Sequence, residues 1–184
     1  MSQLKVNSIV PVGGLPAGAS GGGIIQVVQT VKTDTFSESL SANTNSSTNC
    51  ISVTITPSSN SNNVLIVGQL YGASSYWTGT SAGAWQGRLN RGGTDIAIGD
   101  AAGSRVRQTF RSGASNNTNT GNNCFIYFLD TGISTTSATT YGVRLDNLDN
   151  GSRTLYLNRD INYLNSNTNG SSLISTLTAM EVTV

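Results

Sequence analysis

Nine carboxylates, Asp34, Glu38, Asp95, Asp100, Asp130, Asp146, Asp149, Asp160 and Glu181, are the acid–base groups of a chain that contains no histidine. Two carboxyl groups about 5–9.5 Å apart across a sugar would be a glycosidase pair, and Asp95 and Asp100 can be neighbours of that kind. They can equally be partners of Arg88, Arg91, Arg105, Arg107 or Arg111, because an arginine fork suits carboxylates inside a domain or at an interface between subunits. The same residues therefore support either a catalytic pair or a set of structural ion pairs, and the residue types favour the second. Serine–histidine–aspartate catalysis is excluded by composition. Cys50 and Cys124 lie in the apolar contexts NCISVTI and NCFIYF, and are expected as buried free thiols, with a disulfide between them as the alternative. Two isolated thiols without histidine make no zinc cage. DNLDNG, from Asp146 to Gly151, departs from the calcium-loop spacing and lacks its distal glutamate, so it reads as a turn with a solvated tip. The glycine-rich GGLPAGASGGG lacks the lysine and hydroxyl of a phosphate loop. No metal, cofactor or enzymatic activity is expected.

The elements that must position these groups are strands. Ile51, Val53 and Ile55 alternate with Ser52, Thr54 and Thr56, the period of a half-buried strand, and Pro57 ends it. VLIVGQLYG, from Val64, is almost continuously apolar and reads as a central strand in which Gly68 marks a bulge or a close neighbour. Further strands are expected in IIQVVQTV from Ile24, WQGRLNR from Trp85, TDIAIG from Thr94, RVRQTF from Arg105, CFIYFLD from Cys124, TYGVRLD from Thr140, RTLYLNR from Arg153 and LISTLTAMEVTV from Leu173. Gly92 and Gly93 supply the positive φ angles of a two-residue hairpin between Leu89 and Ile96. Segments rich in Asn, Ser and Gly separate the strands, and no window keeps a helical period. Strands with turn signals about every 8–12 residues predict an all-β, antiparallel sandwich, for which the jelly roll is the commonest solution at this length.

Composition narrows the partners. Charged residues are 10% of the 184-residue chain and the net charge is +1, so neither an electrostatic funnel nor a lysine stripe invites nucleic acid. No run approaches the ~18 apolar residues that span a bilayer. The opening MSQLKVNSIVPVGGLPAGASGGG is interrupted by Asn7, Ser8 and Pro11, which does not match a secretory signal. Two units are expected: an extended arm with a glycine-rich hinge over 1–23, and a folded head over 24–184. Ordering such a leader needs contacts, and Leu4, Val6, Ile9, Val10 and Val12 are its apolar anchors, docking either on a partner by strand addition or on the edge of their own sandwich. In YGASSYWTGTSAGAWQG, Tyr71 and Trp85 are assigned to flanking strands that pack in the core or on a subunit axis. Tyr76 and Trp77 are the candidate contacts for a sugar or a protein partner.

RLNRGGTDIAIGDAAGSRVRQTF, YFLDTGISTTSATTYGVRL, LYLNRD and the terminal STLTAMEV, together with the opening LKVNSIVPVGGLPAGASGGGIIQVV, carry a resemblance that covers nearly the whole chain. It resembles tail-fibre and other virion proteins of tailed bacteriophages, those of marine cyanophages in particular. The resemblance implies a jelly roll of the C1q and tumour-necrosis-factor type, assembled as a homotrimer and fixed to other virion proteins by the N-terminal arm. It implies a tail fibre first, and a capsid head fibre or decoration second. A lectin-like module that binds a host-surface glycan or protein is the remaining alternative. A particle protein made in the host cytoplasm and released by lysis needs no signal peptide, and the arginines and aspartates Arg88, Arg91, Asp95, Asp100, Arg105 and Arg107 then become ion-pair or trimer-seam residues.

Overall fold

The computed structural model of the protein describes residues 23–77, 81–82, 84–112, 121–162 and 172–184. The leader residues Leu4, Val6, Ile9, Val10 and Val12 lie outside the described residues, as do the side chains of Tyr76 and Trp77. Strands in chain order are β1 (Ile24–Lys32), β2 (Phe36–Leu40), β3 (Thr44–Asn45), β4 (Ile51–Ile55), β5 (Asn63–Ser74), β6 (Tyr76–Trp77), β7 (Ser81–Ala82), β8 (Gln86–Arg91), β9 (Thr94–Ile96), β10 (Phe110–Arg111), β11 (Asn122–Asp130), β12 (Thr139–Asn147), β13 (Arg153–Leu157) and β14 (Ser175–Val182). The described residues contain no helix.

Every pairing is antiparallel, and the strands form a sandwich-like arrangement of two main sheets. One sheet runs β1-β14-β5-β13-β2, with β11 on the opposite edge of β5. β5 is long enough, at 12 residues, to pair β14 through its first half and β13 through its end on one side, while β11 follows it on the other. The second sheet runs β10-β8-β12-β3, with β4 also on β12 and β9 on β8. Between the sheets Val64, Ile66, Leu70, Ile126, Leu155 and Leu177 meet Ile51, Val53, Trp85, Leu89, Tyr141 and Leu145 in one buried core. The expected alternation of β4 is present, with Ile51, Val53 and Ile55 buried and Ser52 and Thr54 exposed.

Gly68 sits in unbroken register with both neighbours, so it is a close-approach glycine and not a bulge. A methyl group there would lie 3.2 Å from Leu177 and 3.3 Å from Ile126. The hairpin at Gly92 and Gly93 has φ of 56° and 91°, and Arg91 pairs Thr94 across it. TDIAIG stops as a strand at Ile96, because Ala97 takes a left-handed φ of 53° and turns the chain away. RVRQTF is corrected: only Phe110 and Arg111 pair as strand, and 97–109 is irregular. The free edge of β8 is only six residues long and is already divided between β9 and the Thr109–Arg111 stretch, leaving no ladder for Arg105 to Gln108. β2, FSESL, was not expected as a strand, since only Phe36 and Leu40 are apolar; its backbone pairing with β13 decides it.

Candidate functional site

The arginines and aspartates divide into paired and unpaired sets. Arg88 lies on the outer face of β8, where Nε and Nη2 donate to the two carboxylate oxygens of Asp146 on β12 at 2.7 and 2.9 Å, and Nη1 donates to Asp95. Ser46 N–H and Gln108 Nε2 donate to the same Asp146 carboxylate at 3.0 and 3.1 Å. Burial by itself would lower the Arg88 pKa, but the Asp146 and Asp95 carboxylates overcome it and raise the pKa, so the guanidinium stays charged. Arg91 Nη1 donates to both oxygens of Asp130 at 2.8 and 2.7 Å, and the Tyr141 hydroxyl donates to Asp130 at 2.7 Å. Burial first, and then this bond to a carboxylate, push the Tyr141 phenol upward. Asp100, Arg105 and Arg107 make no ion pair among the described residues. Asp95 is thus held by Arg88.

Other expected positions resolve in the same way. Cys50 and Cys124 are free and buried, and desolvation raises both thiols to about 12. Trp85 is fully buried, its indole N–H donating to Tyr156 C=O at 3.0 Å. Tyr71 is half-buried on β5, and its hydroxyl accepts Gly121 N–H at 2.8 Å. The backbones of Tyr76 and Trp77 pair with β7. DNLDNG is a turn only from Leu148 on: Asp146 and Asn147 are the buried end of β12, and the Asn147 amide donates to Leu40, Ser41 and Gly151 carbonyls. Glu181 is 1% exposed on β14. Its Oε1 accepts from Ser58 N–H, Ser58 Oγ and Asn62 Nδ2 at 2.7, 2.8 and 2.6 Å. Desolvation would raise its pKa, yet these donors win and lower it. No group of three or more metal-ligating side chains occurs among the described residues.

The feature that the residue-by-residue reading missed is a surface. On the outer face of the first sheet, register aligns Val27, Met180, Leu65 and Leu129 in one row across four strands. Gln29, Thr178, Val67 and Tyr127 form the next row, and Val31, Thr176, Gln69 and Phe125 the third. None of these positions carries a charge. Tyr127 is 78% exposed, Phe125 71% and Val27 58%, on a face where water-soluble monomers rarely leave large contiguous apolar area. Ile25 extends the patch, because a register shift between Ile24 and Gln26 makes it the extra residue of a bulge. β11 also leaves its outer edge unpaired among the described residues, with neither lysine nor proline to blunt it. A signal was present in CFIYFLD: a strand apolar on both faces reads as covered on both faces. A scan against models of known protein families finds no match, and no curated protein matches the chain.

Proposed function

We propose that the chain is a non-enzymatic structural protein of a bacteriophage particle. It forms a homotrimeric fibre, on the tail in preference to the capsid, that is fixed to the particle through its N-terminal leader and presents the β-sandwich as a head for host-surface attachment. The observation that carries the reading is the uncharged outer face of β1, β14, β5 and β11, with Phe125 and Tyr127 exposed beside an unpaired strand edge. Copies of the same chain are its fitting occupant, since a neutral face does not repel itself and the net charge of +1 leaves little long-range repulsion. Three copies, and the particle, are what the likeness to virion proteins implies.

Strand order supports a jelly roll as the form of the head. Take β1, β4, β5, β8, β10, β11, β12 and β14 as first to eighth: the first, eighth, third and sixth share one sheet, and the second, seventh, fourth and fifth share the other. That alternation is what two interleaved Greek keys produce. Sedimentation velocity on the full chain tests assembly. A species of three times the 19.1 kDa chain mass is expected at micromolar concentration. Tyr127→Lys should reduce it to the monomer with an unchanged β-type circular dichroism spectrum. A wild-type monomer under those conditions overturns the trimer. Immunogold labelling of purified particles with antibody to the head tests the location, and unlabelled particles would remove the virion assignment.

A further inference from the structure

The outer face of the second sheet carries a different feature. The irregular segment 97–109 crosses that face and encloses, with β8 and β10, a half-open cavity of about 510 Å³. Arg105, Arg107 and Arg111 line it, and none of the three makes an ion pair among the described residues. Asp100 is the one carboxylate in the wall, so positive charge dominates. Gln86 also lines it, 1% exposed, and its Oε1 has no hydrogen-bond partner. Gln108 adds a second buried Oε1 without a partner, and its amide cannot simply be turned, because Nε2 is committed to Asp146 at 3.1 Å. Buried acceptors without donors are costly, and native folds keep few of them. Val106 and Leu148 supply apolar wall between the polar groups.

Each part of the wall specifies part of a ligand. Guanidinium forks that no carboxylate holds match carboxylate or phosphate oxygens, Arg107 through its Nη atoms, since its Nε donates to Gly99 C=O. The orphaned amide oxygens need donors, which a carboxylate or phosphate does not have and a sugar hydroxyl does. Val106 and Leu148 suit the C–H face of a pyranose ring, and the volume lies in the usual range of small-molecule sites. We propose that this cavity binds a polyhydroxylated anion, an acidic saccharide unit whose charged group sits on Arg105, Arg107 and Arg111 and whose hydroxyls donate to Gln86 and Gln108. The site is built within one chain and does not depend on trimer formation, so its failure and the failure of the assembly reading are separate results.

Isothermal titration of the full chain at low ionic strength tests it, with digalacturonate, its methyl ester, galactose 6-phosphate and sodium sulfate as ligands. Digalacturonate or galactose 6-phosphate should bind, which of the two deciding whether the anion is carboxylate or phosphate. Arg105→Gln combined with Arg111→Gln, both at exposed positions, should weaken that binding at least about tenfold. Gln86→Met should weaken it while the two arginines remain, and the circular dichroism spectrum of each variant checks folding. The methyl ester, which keeps the hydroxyls but not the charge, should bind at least about tenfold more weakly than the free acid. Three results would each overturn the proposal: equal binding of the ester, sulfate binding as tightly as the sugar anion, or no binding of either sugar anion at millimolar concentration.

Discussion

Arg88 and Asp146 face each other on adjacent strands of the second sheet, and their environment sets their worth. Asp146 is fully buried, and its carboxylate accepts from Arg88, Ser46 and Gln108. Removing one partner of a buried pair strands the other's charge, so Asp146→Ala should cost about 3 kcal/mol, the low end of the usual range because Asp95 still neutralises Arg88. Asp34→Ala, which breaks a pair with Lys32 on the surface, should leave stability nearly unchanged. Urea unfolding midpoints compare the two, and equal shifts would refute the burial argument. At Cys50 and Cys124, thiols raised to about 12 stay protonated in the native state, while the unfolded thiols ionise near 8.5. The stability they contribute is therefore complete below about pH 8.5 and is lost as pH rises toward about 12, by up to about 1.4 kcal/mol per thiol per pH unit. Iodoacetamide at neutral pH should leave the native chain unmodified and add two adducts after denaturation, read by intact mass. Native labelling at either cysteine would contradict the burial.

At the scale of the strands, glycines decide where elements can approach. A Cβ on Gly72 of β5 would collide with Tyr156 C=O and with the Trp85 ring, which is itself fixed by its bond to that carbonyl. Gly72→Ala should therefore lower stability by at least about 1–3 kcal/mol through overpacking, seen as a lower thermal midpoint. Gly99→Ala, with nothing nearby and no left-handed φ, should be close to neutral and serves as the control. The alternating strands were legible in the sequence, because burying one side of a sheet forces period two. FSESL was not: β2 is held by its ladder with β13, and a ladder is a property of two segments. RVRQTF erred in the opposite direction, since alternation makes a strand only if an edge is free to receive it, and β8 had none left.

For the whole molecule, the two outer faces differ in kind. The first sheet presents aligned uncharged rows ending in Phe125 and Tyr127, suited to a second copy. The second carries the irregular segment 97–109, and Gln86, Arg88 and Asn90 on that face are buried polar groups. Asn90 is satisfied by Asn49 and Gly142 C=O, and Arg88 by its carboxylates, whereas Gln86 Oε1 is not. The proposed assembly surface and the proposed ligand cavity thus lie on opposite faces of the sandwich. If both proposals hold, lysine at Tyr127 should disperse the proposed trimer without changing the proposed saccharide binding, and glutamine at Arg105 and Arg111 should do the reverse.

The sequence by itself determined the all-β character, most strand positions, the hairpin at Gly92 and Gly93, and the burial of both cysteines, because each follows from local period, turn chemistry or residue type. Which arginine meets which aspartate was decided only in three dimensions. Arg88 and Asp146, 58 positions apart, meet because β8 and β12 are neighbours, and Arg91 meets Asp130 across the end of the sandwich. The apolar rows of the first sheet likewise exist only once β1, β14, β5 and β11 are placed side by side in register. Pairing order is a non-local property, fixed by packing two faces into one core, and no window of the chain contains it.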